Sequence, residues 1–310
     1  CDSSVPVCRV NSDGQSVPTG AVHTESGPYR FFGDGVTAIS SYQQLAQMIA
    51  NFRNFGAANY DFNVILPDTI TPAIVGSGLA QFAPMRNNDI AQSWEIGSFG
   101  GVNYYTSNLL PIHTAGTIGN EARTLTVVST NDPTGANITE ITFSGAGSAG
   151  TIKSGDLLQQ QDGVSGQPNN RFRTFTVHAV SAQPVQIRCI ESQTADGSGN
   201  ITIKFLPALQ STPGANQNLQ YNIVAGMQFK SLPDHRAGMV TSGRSLFLAM
   251  PRLPNQDPFP SSTETDPTTG MSLRLTYGVK IFQNQKGLSH DCTFGVVQVP
   301  EYSMRVVLPV

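Results

Sequence analysis

The 310-residue sequence is short of charge. Asp, Glu, Lys and Arg together make up 13% of it, and the formal net charge is −3. That argues against a solvated helical protein and for strands and turns. The 18 Lys and Arg residues are spread along the chain. With no basic patch, sequence-specific or tight direct binding to nucleic acid is not expected. No run of about twenty apolar residues occurs, so no segment reads as a membrane-spanning helix. Cysteine is scarce as well. Cys1, Cys8, Cys189 and Cys292 form no C-x-x-C pair, so zinc has little support. They read as ordinary thiols, although Cys1 and Cys8 are near enough in sequence to bridge. H-E-x-x-H and calcium-loop spacings are both missing.

Three motifs point toward chemistry and fall short of it. Gly145-Ala146-Gly147-Ser148-Ala149-Gly150 has the G-x-G-x-x-G spacing of a dinucleotide loop. A phosphate cradle needs a helix N-terminus after that loop, and Thr151 to Leu158 has no helical period. Ser148 has Ala146 where a nucleophile elbow needs glycine. Asp234-His235 and His290-Asp291 put a carboxylate beside an imidazole, but neighbours in a strand point to opposite faces. The remaining histidines, His23, His113 and His178, are scattered. Asn137-Ile138-Thr139 and Asn200-Ile201-Thr202 fit a glycosylation sequon. No catalytic, cofactor-binding or metal-ligating residue is assigned, no cofactor is expected, and the chain is read as a non-enzyme.

What the sequence does hold is 30 glycines, 20 prolines and many short alternating segments. Residues 1 to 36 read as extended or loop structure, with Tyr29, Phe31 and Phe32 as a docking group. A helix follows. Ser40 or Ser41 can cap it, Gln43 or Gln44 completes a capping box, and Gly56 stops it. Leu45, Met48, Ile49, Phe52 and Phe55 form one apolar stripe, read as a core face. Phe62 to Leu66 is a short buried strand. Thr71-Pro72 opens a short helix that Ala73, Ile74, Val75 and Leu79 continue. Gly97, Gly100 and Gly101 bend the chain into a strand of alternating Val102, Tyr104 and Thr106, and Pro111 ends it.

From 118 to 226 the segments Thr124–Ser129, Glu140–Ser144, Arg173–Val180, Val185–Ile190 and Ile201–Leu206 are β-branched or alternating. Gly163 to Asn170 reads as a loop, and Asp196 to Asn200 as a hairpin connection. Short strands at such spacing suggest a small barrel or sandwich. After 227 come an apolar segment from Ser245 to Met250, a proline-rich loop from Asn255 to Thr269, and an alternating strand from Ser272 to Gln283.

The stretch Gly97 to Thr114, with its glycines, Ser107-x-x-Leu110-Pro111 and His113-Thr114, resembles a signature of the coat proteins of short-tailed, Salmonella-type double-stranded DNA phages. Asn63-Val64-Ile65-Leu66-Pro67 resembles a second segment of that family. Lys153-x-Gly155-Asp156 resembles a turn in its inserted barrel. Ser245 to Pro251 is similar to another segment. Asp291-x-x-Phe294-Gly295 and Pro300-Glu301-x-Ser303-x-Arg305 resemble its terminal one. The likeness runs in order over roughly residues 37 to 310.

The resemblance implies an α+β class: the tailed-phage major-capsid fold, with axial and peripheral domains and an inserted β-barrel domain. Residues 1–36 would be an extended N-terminal segment and 37–117 the first part of the axial domain. Residues 118–226 would be the inserted barrel, and 227–310 the return to the axial and peripheral domains. It further implies a structural major capsid protein that self-assembles into the icosahedral shell around the phage DNA. Its partners would be its own copies in hexamers and pentamers, with scaffolding and portal proteins and no membrane. It would reside in the virion, assembled in the bacterial cytoplasm. The front of the chain departs from the family, since 1–36 are too few for its arm, extended loop and spine helix. With Cys1 first, a missing or removed N-terminal part is expected. The alternative is a secreted or lipid-anchored β-rich surface or binding protein.

Overall fold

Ser41 caps the helix Tyr42–Asn54, its side chain accepting the Gln44 N–H at 3.3 Å. Gln44 reaches back to the Ser40 N–H at 2.7 Å, one residue beyond the usual partner of a capping box. Leu45, Met48, Ile49, Phe52 and Phe55 are all buried, so the predicted stripe is a core face. These details come from a computed structural model describing residues 7–10, 16–19, 28–55, 61–74, 98–99, 101–174, 178–243, 245–254, 261–267, 270–280 and 285–310. Several expected features lie outside the described residues: the Gly56 stop, the bend glycines Gly97 and Gly100, the continuation through Val75 and Leu79, most of the 255–269 loop, and Cys1 with the Cys8 side chain.

The helix packs on a mixed sheet. Phe31–Phe32, Ser303–Leu308, His235–Ser242, Phe62–Leu66, Val102–Thr106 and Ser98–Phe99 follow one another across it, and Ile112–His113 also pairs His235–Ser242. Phe62–Leu66 runs parallel to Val102–Thr106 and antiparallel to His235–Ser242. Its alternating burial sends Phe62, Val64 and Leu66 into the core with Val240, Met304 and Val306. Phe52 meets Phe62 edge to face, ring centres 5.4 Å apart.

A closed antiparallel barrel forms between these sheet segments. Around it run Leu157–Gln160, Gln186–Cys189, Ile201–Leu209, Ile138–Ser144, Thr124–Thr130 and Gln228–Ser231. Leu125, Val127, Ile141, Phe143, Ile187, Ile203, Phe205 and Phe229 fill its interior. Phe143 and Phe229 pack edge to face at 5.5 Å. Closure leaves the barrel no free edge.

The described chain is mostly β, with one 13-residue helix and a few single turns. This is less helix than the α+β class expected. Two local expectations also change. Arg173–Val180 is not one strand: Arg171–Arg173 ends, and the chain returns in Val180–Pro184. Thr174 organises the return, accepting the His178 N–H on its carbonyl and the Ala179 N–H on its hydroxyl. The Asp196 turn is a turn, its carboxylate accepting the Ser198 and Asn200 N–H groups. Yet Gln193–Thr194 before it pairs Thr151–Ile152, not the strand after it.

Contacts divide the chain into two units. One is Gly27–Ser245 with Val299–Val310, holding the mixed sheet and the barrel. The other is Cys1–Ser26 with Leu246–Gln298. It contains a hairpin of Val7–Val10 with Ser16–Thr19, a ribbon of Leu246–Ala249 with Gly295–Gln298, and a three-stranded sheet of Ser261–Thr265, Ser272–Lys280 and Gln285–Asp291.

Candidate functional site

Where the chain enters and leaves the barrel, the two passages are stitched together. Ile112–His113, on the way in, pairs with His235 and Arg236, on the way out. The Ala115 N–H donates to the Asp234 carboxylate at 2.7 Å, and the Asp234 N–H donates to the Asn120 side chain at 2.9 Å. The barrel therefore leaves the sheet through a narrow neck. Polar side chains gather there that local sequence would put on the surface.

Asp156 is their centre, only 1% exposed. One carboxylate oxygen lies 2.7 Å from His113 Nε2. The other accepts the Lys153 N–H at 2.8 Å and the Gly116 N–H at 3.1 Å. Two glycines make room. Gly155 has φ +92° and lies against the His113 ring, so a side chain there meets both strain and the imidazole. At Gly116 a Cβ would overlap the Thr151 carbonyl.

His235 stacks obliquely on His113, ring centres 5.1 Å apart. It is fully buried, with Nδ1 bonded to the Pro233 carbonyl at 2.8 Å and Nε2 without a partner. Burial, joined by the Arg305 charge, pushes this imidazole down to about 4. Arg305 donates to the Gly155 carbonyl at 3.3 Å, and burial with the nearby Arg188 pushes its guanidinium down to about 10. Cys189 is also buried. Its Sγ donates to the Glu191 carbonyl, and burial pushes the thiol up to about 12. A thiol held protonated is no nucleophile.

A second tie joins the barrel wall to the edge of the sheet. The Gln186 amide accepts the Phe31 N–H at 2.9 Å and donates to the Phe31 carbonyl at 3.0 Å. It thus supplies Phe31 with both bonds of a missing neighbouring strand. Arg30, next to it, is completely buried over the Phe55 and Phe52 rings, 4.0 and 5.2 Å from their centres. Its Nη2 donates to the Glu301 carbonyl at 2.6 Å, and burial lowers its guanidinium to about 10.

Such an arrangement holds elements together through bonds from side chains to the backbone of other segments, while Arg30 Nε and Nη1 and His235 Nε2 find no partner among the described residues. Among the described residues, no group of three His, Cys, Asp or Glu is placed to hold a metal ion. The Gly145–Gly150 loop leads into the strand Thr151–Ile152 and not into a helix, as its sequence suggested. His290 and Asp291 sit on the three-stranded sheet, where Asp291 bonds Arg274 at 2.9 Å. A groove of about 760 Å³ beside the neck is lined by Asp34, Asn120, Gln159, Lys230 and Leu232. Asp34 is already occupied within its own turn, accepting from Val36 and Thr37. Compared with known proteins, the chain matches no family model and no curated sequence.

Three stretches that carry the resemblance supply the neck. His113 comes from the His-Thr end of the first signature, Asp156 from the Gly-Asp turn, and Arg305 from the terminal segment. They lie 43 and about 150 residues apart in the chain and meet through direct hydrogen bonds. Arg30 and Gln186 were not identified by sequence reasoning, and His235 was weighed only as half of an Asp-His dipeptide. A polar residue inside an alternating strand, as Gln186 is, was the signal available.

Proposed function

We propose that the chain is a structural, self-assembling subunit: the major capsid protein of a short-tailed double-stranded DNA phage, building an icosahedral shell around the genome. The observation that carries this reading is the neck. Segments picked out by their likeness to coat proteins come together there, around the point where a closed barrel leaves a mixed sheet. A β-rich body whose buried polar groups tie one segment to another suits a scaffold better than a catalyst. Many modest contacts between identical copies then add up to a closed shell. In this reading the partners are other copies in hexamers and pentamers, with scaffolding and portal proteins, and the location is the virion.

The test is assembly. The purified chain, alone and with a candidate scaffolding protein, is examined by negative-stain electron microscopy. Closed shells of uniform diameter are the expected result. Protein that stays monomeric under every assembly condition overturns the reading.

A further inference from the structure

The unit formed by Cys1–Ser26 and Leu246–Gln298 is built inside out. Its three-stranded sheet has two faces. On one lie Ser272, Arg274 and Thr263, and this polar face is covered: Thr263 and Ser272 are buried, and the Arg252–Pro254 segment bonds to it through Thr263 and Arg274. On the other lie Leu273, Leu275, Tyr277 and Leu288, with Ser262, Glu264 and His290 beside them; Leu273, Tyr277 and Leu288 face solvent, Leu288 being 58% exposed. The ribbon repeats the pattern. Leu246, Phe247 and Leu248 are each about half exposed, so it is apolar on both faces. A two-stranded ribbon is marginal in water, and among the described residues each of its strands pairs on one side only. Among the described residues, this unit buries no apolar side chain at all.

We infer that this surface is where one copy of the chain docks on another, by antiparallel pairing of Leu246–Ala249 strands and packing of the Leu273, Tyr277 and Leu288 face. Three observations select a second copy as the occupant. The ribbon strands Leu246–Ala249 and Gly295–Gln298 carry no charge, so an identical strand meets no like-charge repulsion. The ribbon also lacks the lysine, proline or bulge that blunts a solvent-facing edge. Finally, Leu273, Tyr277 and Leu288 share one face and are each more than a third exposed, so a second copy brings apolar side chains against apolar side chains. The inference rests on the shell reading for the identity of the partner and deepens it by assigning the surface.

The experiment uses the full chain in a Cys292→Ser background. Sedimentation velocity across a protein concentration series is run on this parent and on Phe247→Lys/Leu288→Lys. Both changed side chains are exposed, so the melting temperature of the monomer should not move. Concentration-dependent association of the parent is expected, weakened ~100-fold or more in the double variant, because each lysine would be buried against apolar surface. Leu288→Cys supplies a second readout, an intermolecular disulfide on mild oxidation. A double variant that associates as the parent does, or a Leu288→Cys chain that forms no covalent dimer, overturns this inference. Shells that still form in either case leave the shell reading standing. If the parent pairs through this surface but closes no shells, the inference holds and the shell reading falls.

Discussion

The barrel and the Leu246–Gln298 strands are both β-structure from one chain, yet they sort their side chains in opposite ways. In the barrel, every second residue of Ile201–Phe205 is buried, and Phe143 and Phe229 are fully enclosed. In the ribbon, Phe247 is 54% exposed. The alternating period is the same in kind. What differs is closure: a sheet curled on itself creates its own apolar interior, whereas a two- or three-stranded sheet has to find one elsewhere. The barrel solves its burial within the chain. The other unit, among its described residues, has no such interior.

The comparison breaks most sharply in the barrel. Phe229→Ala should cost about 3–5 kcal/mol in urea unfolding, because a closed interior cannot collapse around the lost ring. A loss below about 1 kcal/mol would mean that the barrel is not the rigid half. Next comes the neck. Asp156→Ala removes a buried carboxylate that meets His113 Nε2 and accepts the Gly116 and Lys153 N–H groups. A loss of about 3–4 kcal/mol is expected from the same measurement.

The third handle is pH. Folded His235 stays neutral down to about pH 4, while an unfolded imidazole takes its proton near 6.5. Between those values the unfolded chain binds more protons. Stability is therefore complete above pH 6.5 and falls as pH drops toward 4, by at most about 3 kcal/mol. Unfolding curves at pH 7.5 and 4.5 measure the fall, and His235→Leu should flatten it. Smaller still is the helix cap, where Ser41→Ala should cost about 1 kcal/mol in thermal or urea unfolding. Smallest is Tyr277→Ala. In dilute monomer it should change stability by less than about 0.5 kcal/mol, since its ring meets solvent and not a core. A loss as large as that of Phe229→Ala would erase the contrast between the two regions.

Local periodicity carried much of the fold into the sequence. The Leu45–Phe55 stripe, the Phe62–Leu66 strand and the Val102–Thr106 strand were legible because each is amphipathic or buried by a short-range rule. So were most barrel strands. The join was not. His113 and Asp156 become partners only when the 42 residues between them fold back, and Gln186 meets Phe31 only when a segment 155 positions away arrives beside it. Arg30 is a cation inside a core, which composition predicts against. Nor does alternation tell which face of a strand turns outward. Ser272 to Gln283 therefore read only as an alternating strand, although in the observed strand Ser272–Lys280, Ser272 is buried while Leu273 and Tyr277 are exposed.

The pairing of Ile112–His113 with His235–Arg236 leaves more than a hundred residues hanging from two adjacent points. A gap that narrow is one a tight turn can bridge. A lineage could thus exchange or shed the whole appendage by recombination at its stem and keep the ladder of the parent sheet in register. By the same logic, the stem is where a foreign domain could be spliced in without rethreading the body.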